Sequence, residues 1–147
     1  MSRSRKLLVA LLAVVSIACA APASSLAATS NACSSGYPRT CVTAEQAIPG
    51  YLSYMTTSLY IDSCYKGYHE VIHSIQAPTT YYREWSRQLF YHPDRYGCGT
   101  GTDLVLLPKT GKVDLMVPKG AVACSTVYRV NANGSRTFLT NVCAKLV

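Results

Sequence analysis

The sequence predicts an all-β fold, a small disulfide-stabilised sandwich-like domain, on three observations. The first is the segment CSTVYRVNANGSRTFLTNVC (124–143), where Asn133-Gly134 lies between two runs rich in β-branched and aromatic residues, the strongest short hairpin signal. The second is cysteine usage. Six of the seven cysteines, Cys33, Cys41, Cys64, Cys98, Cys124 and Cys143, lie beyond an N-terminal apolar leader, an even number that reads as three disulfides in an exported domain. The third is the period-two alternation of segments such as TYYREWSRQLFYH (80–92), where Arg83, Trp85, Arg87 and Leu89 oppose Glu84, Ser86, Gln88 and Phe90.

Taken in order, residues 1–27 read as a secretory signal peptide. Arg3, Arg5 and Lys6 precede an apolar run from Leu7 to Ala20, and Ser25-Leu26-Ala27 supplies a cleavage site. The run is too short for a stable span of roughly 20 apolar residues, so no membrane anchor is expected and the protein is expected outside the cell. Residues 28–49, dominated by Ala, Ser, Thr and Asn, read as a flexible polar arm, and 50–147 as the β domain.

Within that domain Thr57 to Ile61 favours a strand. CYKGYHEVIHSIQ (64–76) fits either a helical stripe or a strand and leans to a strand, because Gly67 and the β-branched residues weaken a helix. DLVLLP and VDLMVP flank Lys109-Thr110-Gly111-Lys112 and read as a hairpin, with Pro108 and Pro118 at strand ends or an edge. A two-residue turn at Asn133-Gly134 would set Val130 against Thr137, Tyr128 against Leu139 and Cys124 against Cys143. That register puts the cysteines at a hydrogen-bonded pair, an unusual place for a bridge, unless a bulge shifts the count. Asn133-Gly134-Ser135 is also a glycosylation sequon, although the turn accounts for its residues. Six cysteines allow 15 connectivities; the expected bridges are Cys33–Cys41, Cys64–Cys98 and Cys124–Cys143.

The formal charge of +7 overstates the mature protein: removing the three leader cations from 14 leaves 11 Lys and Arg against 7 Asp and Glu, a net of +4. These cations form no run of three, so nucleic acid is not an expected partner.

GYHEVIHSI (67–75) contains H-E-x-x-H and so resembles the zinc metallopeptidases. On a helix His69 and His73 would share a face and hold Zn²⁺, with Glu70 as the general base. On a strand the two histidines would be about 13 Å apart, too far to share an ion. A third ligand would have to come from His92, Asp94 or Asp103, and the extended H-E-x-x-H-x-x-G-x-x-H pattern is absent. No other catalytic set is present, so neither an enzyme nor a cofactor is expected, with the zinc peptidase as the alternative.

CSSGYPRTC (33–41) can close a nine-residue ring that holds Tyr37, Pro38 and Arg39 ready for a partner at little entropic cost. Arg39 is the side chain a trypsin-like pocket with a buried carboxylate accepts. The ring is similar in size to the reactive loop of Bowman-Birk-type serine protease inhibitors, although Cys41 follows Arg39 too soon. All 11 tyrosines lie beyond the leader, ten of them between Tyr37 and Tyr96. Together with Trp85 and its neighbouring arginines they are the residues that anchor protein interfaces; Tyr81, Tyr82 and Trp85 are expected to be exposed.

This layout, an alanine-rich leader, a polar segment with CSSGYPRTC and a disulfide-linked β domain ending in hairpins, resembles the small adaptor subunit of the umbrella toxin particles secreted by filamentous actinobacteria. The resemblance implies a non-enzymatic protein that joins a large toxin subunit to lectin subunits containing a degenerate trypsin-like domain, with Arg39 suited to the cleft.

Overall fold

The computed structural model describes residues 27–62, 65–77, 81–93, 102–107 and 112–147. Nine strands carry the fold, with no α-helix among the described residues: β1 (Ala28–Cys33), β2 (Arg39–Ile48), β3 (Tyr51–Asp62), β4 (Gly67–Ala77), β5 (Tyr81–His92), β6 (Thr102–Leu107), β7 (Lys112–Met116), β8 (Val122–Val130) and β9 (Arg136–Lys145). They form two antiparallel sheets, one ordered β1-β2-β3-β6 with β7 also on β3, the other β5-β4-β8-β9. The expected sandwich is present.

Period-two burial builds its interior. Thr40, Val42, Ala44 and Gln46 point inward from β2, and His69, Val71, His73 and Ile75 from β4. One apolar cluster joins Val42, Ala44, Leu52 and Met55 of the first sheet to Ile75, Ala123, Val142 and Ala144 of the second. Another gathers Leu59, Ile61 and Leu107 with Val71 and Val127.

The segment 28–49 is not an arm. β1 pairs with β2 from Ala28↔Gln46 to Cys33↔Cys41, β2 pairs with β3, and Val42 and Ala44 are fully buried. The composition of this stretch hides the alternation: alanine and threonine are small enough to pack where the sheets approach, and only every second residue faces inward. Buried Gln46 is satisfied by the last residue, donating through Nε2 to the Val147 carbonyl (3.1 Å) and accepting from the Val147 N–H at Oε1 (2.6 Å).

The second expected hairpin is also corrected. β6 and β7 do not pair with each other; both lie along β3, β6 against Thr57–Asp62 and β7 against Tyr51–Tyr54, as one interrupted edge. Pro118 lies just beyond β7, consistent with a residue that cannot donate to a ladder, and Pro108 lies outside the described residues.

The β8–β9 hairpin is present with a different turn. Asn131 N–H bonds the Ser135 carbonyl (2.8 Å), Gly134 N–H bonds the Asn131 carbonyl (2.9 Å), and Gly134 takes φ +79, which only glycine adopts freely. This three-residue loop shifts the register by one, so Tyr128 faces Phe138 and Arg129 faces Thr137; a bulge between Val127 and Tyr128 then restores Cys124↔Cys143.

Cys33–Cys41 and Cys124–Cys143 are bridged, each with Cα atoms 4.0 Å apart, the spacing of close, non-hydrogen-bonded pairs. Such bridges belong to an oxidising, extracellular-type compartment. No helix among the described residues is long and apolar enough to cross a membrane. The expected Cys64–Cys98 bridge and the leader lie outside the described residues.

Candidate functional site

β4 is an interior strand of its sheet, and its pleat divides H-E-x-x-H between two environments. His69 and His73 face the core with no solvent exposure. Glu70 lies on the opposite face, so it cannot serve as a base at a metal held by those two imidazoles. The helix that gives this motif its zinc chemistry is not formed, because every neighbour of His69–His73 on β5 and β8 offers ladder bonds that a helix would forgo. No cluster of three or more His, Cys, Asp or Glu side chains with metal-binding geometry occurs among the described residues.

His73 instead joins the sheets. Its Nε2 lies 2.9 Å from Thr57 Oγ1, which is 2.6 Å from Ser125 Oγ, while its Nδ1 lies 3.0 Å from Ser86 Oγ. A neutral imidazole has one donor and one acceptor nitrogen, so the whole chain of groups can be satisfied. This polar waist separates the two apolar clusters. Burial pushes the His73 pKa down to about 4. Ser86 and His73 have the spacing of a nucleophile and base, but an imidazole this weakly basic and closed off from solvent is suited to structure.

His69 is held by its Nδ1 against the Gly67 carbonyl (3.0 Å) and stacks on Phe90, with ring centroids 5.5 Å apart. Burial lowers its pKa, partly offset by that bond, and nearby His92 and Arg129 lower it further. His92 is also buried, with its ring centroid 6.4 Å from that of His69. Asp94 and the side chain of Asp103 lie outside the described part.

The nine-residue ring is closed by its disulfide, but it does not present Arg39 at a tip. Tyr37 is exposed and its ring lies nearly parallel to that of Tyr65, with centroids 6.3 Å apart. Pro38 is buried, its carbonyl accepting bonds from Ser34 Oγ and Thr40 Oγ1. Arg39 opens β2 opposite Tyr60, its guanidinium 5.8 Å from that ring centroid on the sheet surface. Cys41 follows it so closely that the residue is already in the ladder. Trp85, expected exposed, is half-buried against the larger apolar cluster at a bulge between Glu84 and Ser86, with Arg83 over its ring (5.5 Å). Tyr81 and Tyr82 open β5 opposite Ala77 and Gln76, and their side chains lie outside the described part.

Sequence reading missed the outer face of the four-stranded sheet. The registers align Leu89, Glu70, Tyr128 and Phe138 in one row across β5, β4, β8 and β9, with Tyr91, Tyr68, Val130 and Arg136 in the next. Tyr68, Leu89, Tyr91 and Phe138 are each more than half exposed. Tyr68 meets Tyr91 edge to face (5.0 Å), as Tyr128 meets Phe138 (6.0 Å). Between the pairs sits Glu70, its oxygens accepting from Arg87 (3.1 Å) and Arg136 (2.7 Å). Arg136 also covers Tyr128 (5.3 Å), and Arg87 binds Glu84 through two further nitrogens. That pairing holds the Glu84 carboxyl below the usual carboxylate range and raises the Arg87 pKa. Two carboxylates and two guanidiniums therefore cancel within an aromatic surface. The signal in the sequence was the outward set of each strand, readable only once pairing was known.

A cavity of about 250 Å³ lies beside Gln76, Ala77, Gly120 and Val122, and none of these described lining residues is titratable. No known protein family matches the chain, and neither a curated protein nor a solved structure is significantly similar to it.

Proposed function

We propose that this is a secreted, non-enzymatic interaction protein that holds a partner protein on the outer face of its four-stranded sheet, in the manner of an adaptor in a secreted toxin complex. The observation that carries the reading is the adjacency of Tyr68, Leu89, Tyr91 and Phe138 around a charge network that is already neutralised. Contiguous exposed apolar groups with a satisfied polar centre are the mark of an interface, because a partner can cover them without stranding a charge. The adaptor role rests on the resemblance in layout, and the degenerate trypsin-like and lectin-bearing subunits and the large toxin subunit are its proposed partners. The basic leader and the disulfides support export.

A second reading keeps docking at the ring, favoured by the exposure of Tyr37 at its bend. Arg39 would then have to leave Tyr60 to enter an acidic cleft, in an inhibitor or an adaptor alike. Co-purification from culture fluid separates the two. Tyr68→Ser with Phe138→Ser is expected to lose the partner while Arg39→Ala keeps it. The converse result moves docking to the ring, and retention by all three forms rejects both surfaces.

A further inference from the structure

The aromatic face runs to the edge of its sheet at β5, and among the described residues no strand pairs with the outer side of β5. β5 is 12 residues long. Its first part is interrupted by the bulge at Trp85, a device that discourages pairing. From Ser86 to His92 the ladder with β4 is regular, with no proline or lysine until Pro93, and Leu89 and Tyr91 are exposed there. Such an edge offers alternate N–H and C=O groups to another strand.

We propose that this edge is filled by β5 of a second copy, paired antiparallel about Leu89. The sequence is self-complementary around that point. Leu89 would face its own counterpart, and Arg87 and Tyr91 of each copy would face Tyr91 and Arg87 of the other on the outer surface. On the inner side Gln88 would face Phe90. The nitrogens of Arg87 are occupied by Glu84 and Glu70, but the flat guanidinium surface remains able to cover a tyrosine ring. Antiparallel pairing about a twofold axis gives the same contacts twice and closes after two copies. The other charge-matched register, Glu84 opposite Arg87, would run across the bulge. The result is an eight-stranded sheet with the aromatic faces of both copies side by side, so a partner with two sites would be held by both at once. This inference is independent of partner capture, which the Phe138→Ser change reads on the far strand β9.

Light scattering on the mature protein from micromolar to millimolar concentration, with Leu89→Lys alongside, tests the pairing. The wild type is expected to be a dimer whose melting temperature rises with concentration, and Leu89→Lys a cooperatively folded monomer whose melting temperature does not, since the change places two ammonium groups face to face. Leu89→Cys should form an intermolecular disulfide across the axis, whereas Phe138→Cys, similarly exposed, should not. A monomeric wild type overturns the proposal. So does a dimer that survives Leu89→Lys or cross-links equally at both positions, because its interface lies elsewhere.

Discussion

The two faces of β4 put polar side chains to opposite uses. Inward, His69, Val71, His73 and Ile75 are sealed between the sheets, and His73 is part of a hydrogen-bonded waist. Outward, Tyr68 and Glu70 stand among exposed rings and arginines. A histidine two or four positions from another in a strand shares its face, and the residue next to it does not. Spacing therefore acquires chemical meaning only with the period of the backbone that bears it. The contrast also separates tasks: polar groups inside serve specificity of packing, and polar groups outside leave a neutral surface.

Breaking the inner face should have the largest effect. His73→Ala removes the bridge to Thr57 and Ser86 and leaves a hole between two packed sheets, so a loss of about 3 kcal/mol is expected in urea unfolding. Acid should act on the same group. His73 has a pKa lowered from 6.5 to about 4 in the fold, so the unfolded chain binds the proton more readily. Its contribution is intact above pH 6.5 and is lost as pH falls from there to about 4, by about 3 kcal/mol in all. Burial of His69 works in the same direction. Urea midpoints at pH 7.5 and 4 would show the fall, and His73→Gln should flatten it.

Changes on the outer face should cost far less. Glu70→Ala unties Arg87 and Arg136, whose guanidiniums stay open to water, and about 1 kcal/mol is the expected loss by urea unfolding. The same variant sharpens the contrast through binding: with the guanidiniums no longer neutralised, the surface gains positive charge, and partner capture should become sensitive to salt. A denaturant loss comparable to that of His73→Ala would mean that Glu70 supports the fold and not the surface.

The fold class, the two described bridges and the strand character of β4 and β5 were legible because alternation and cysteine spacing are local signals. Which strands pair is not local. The echo between DLVLLP and VDLMVP suggested a hairpin, whereas both segments found the long β3 as a common partner. The polar character of residues 28–49 suggested an arm, whereas Val42 and Ala44 sufficed to seat β2 in the core. The aromatic face was illegible for the same reason: Tyr68, Leu89 and Phe138 come from three strands, and nothing in the chain announces that they meet. Likewise the waist needs Thr57, His73, Ser86 and Ser125 from four strands.

The link between Gln46 and Val147 spans 101 positions of chain, and Val147 also accepts from the Gly50 N–H. Both described bridges, in contrast, close short hairpins, with separations of 8 and 19. Oxidation can thus secure the hairpins locally, while docking of one sheet on the other has to bring together residues as remote as Gln46 and Val147. Assembly dominated by such remote pairings is slow.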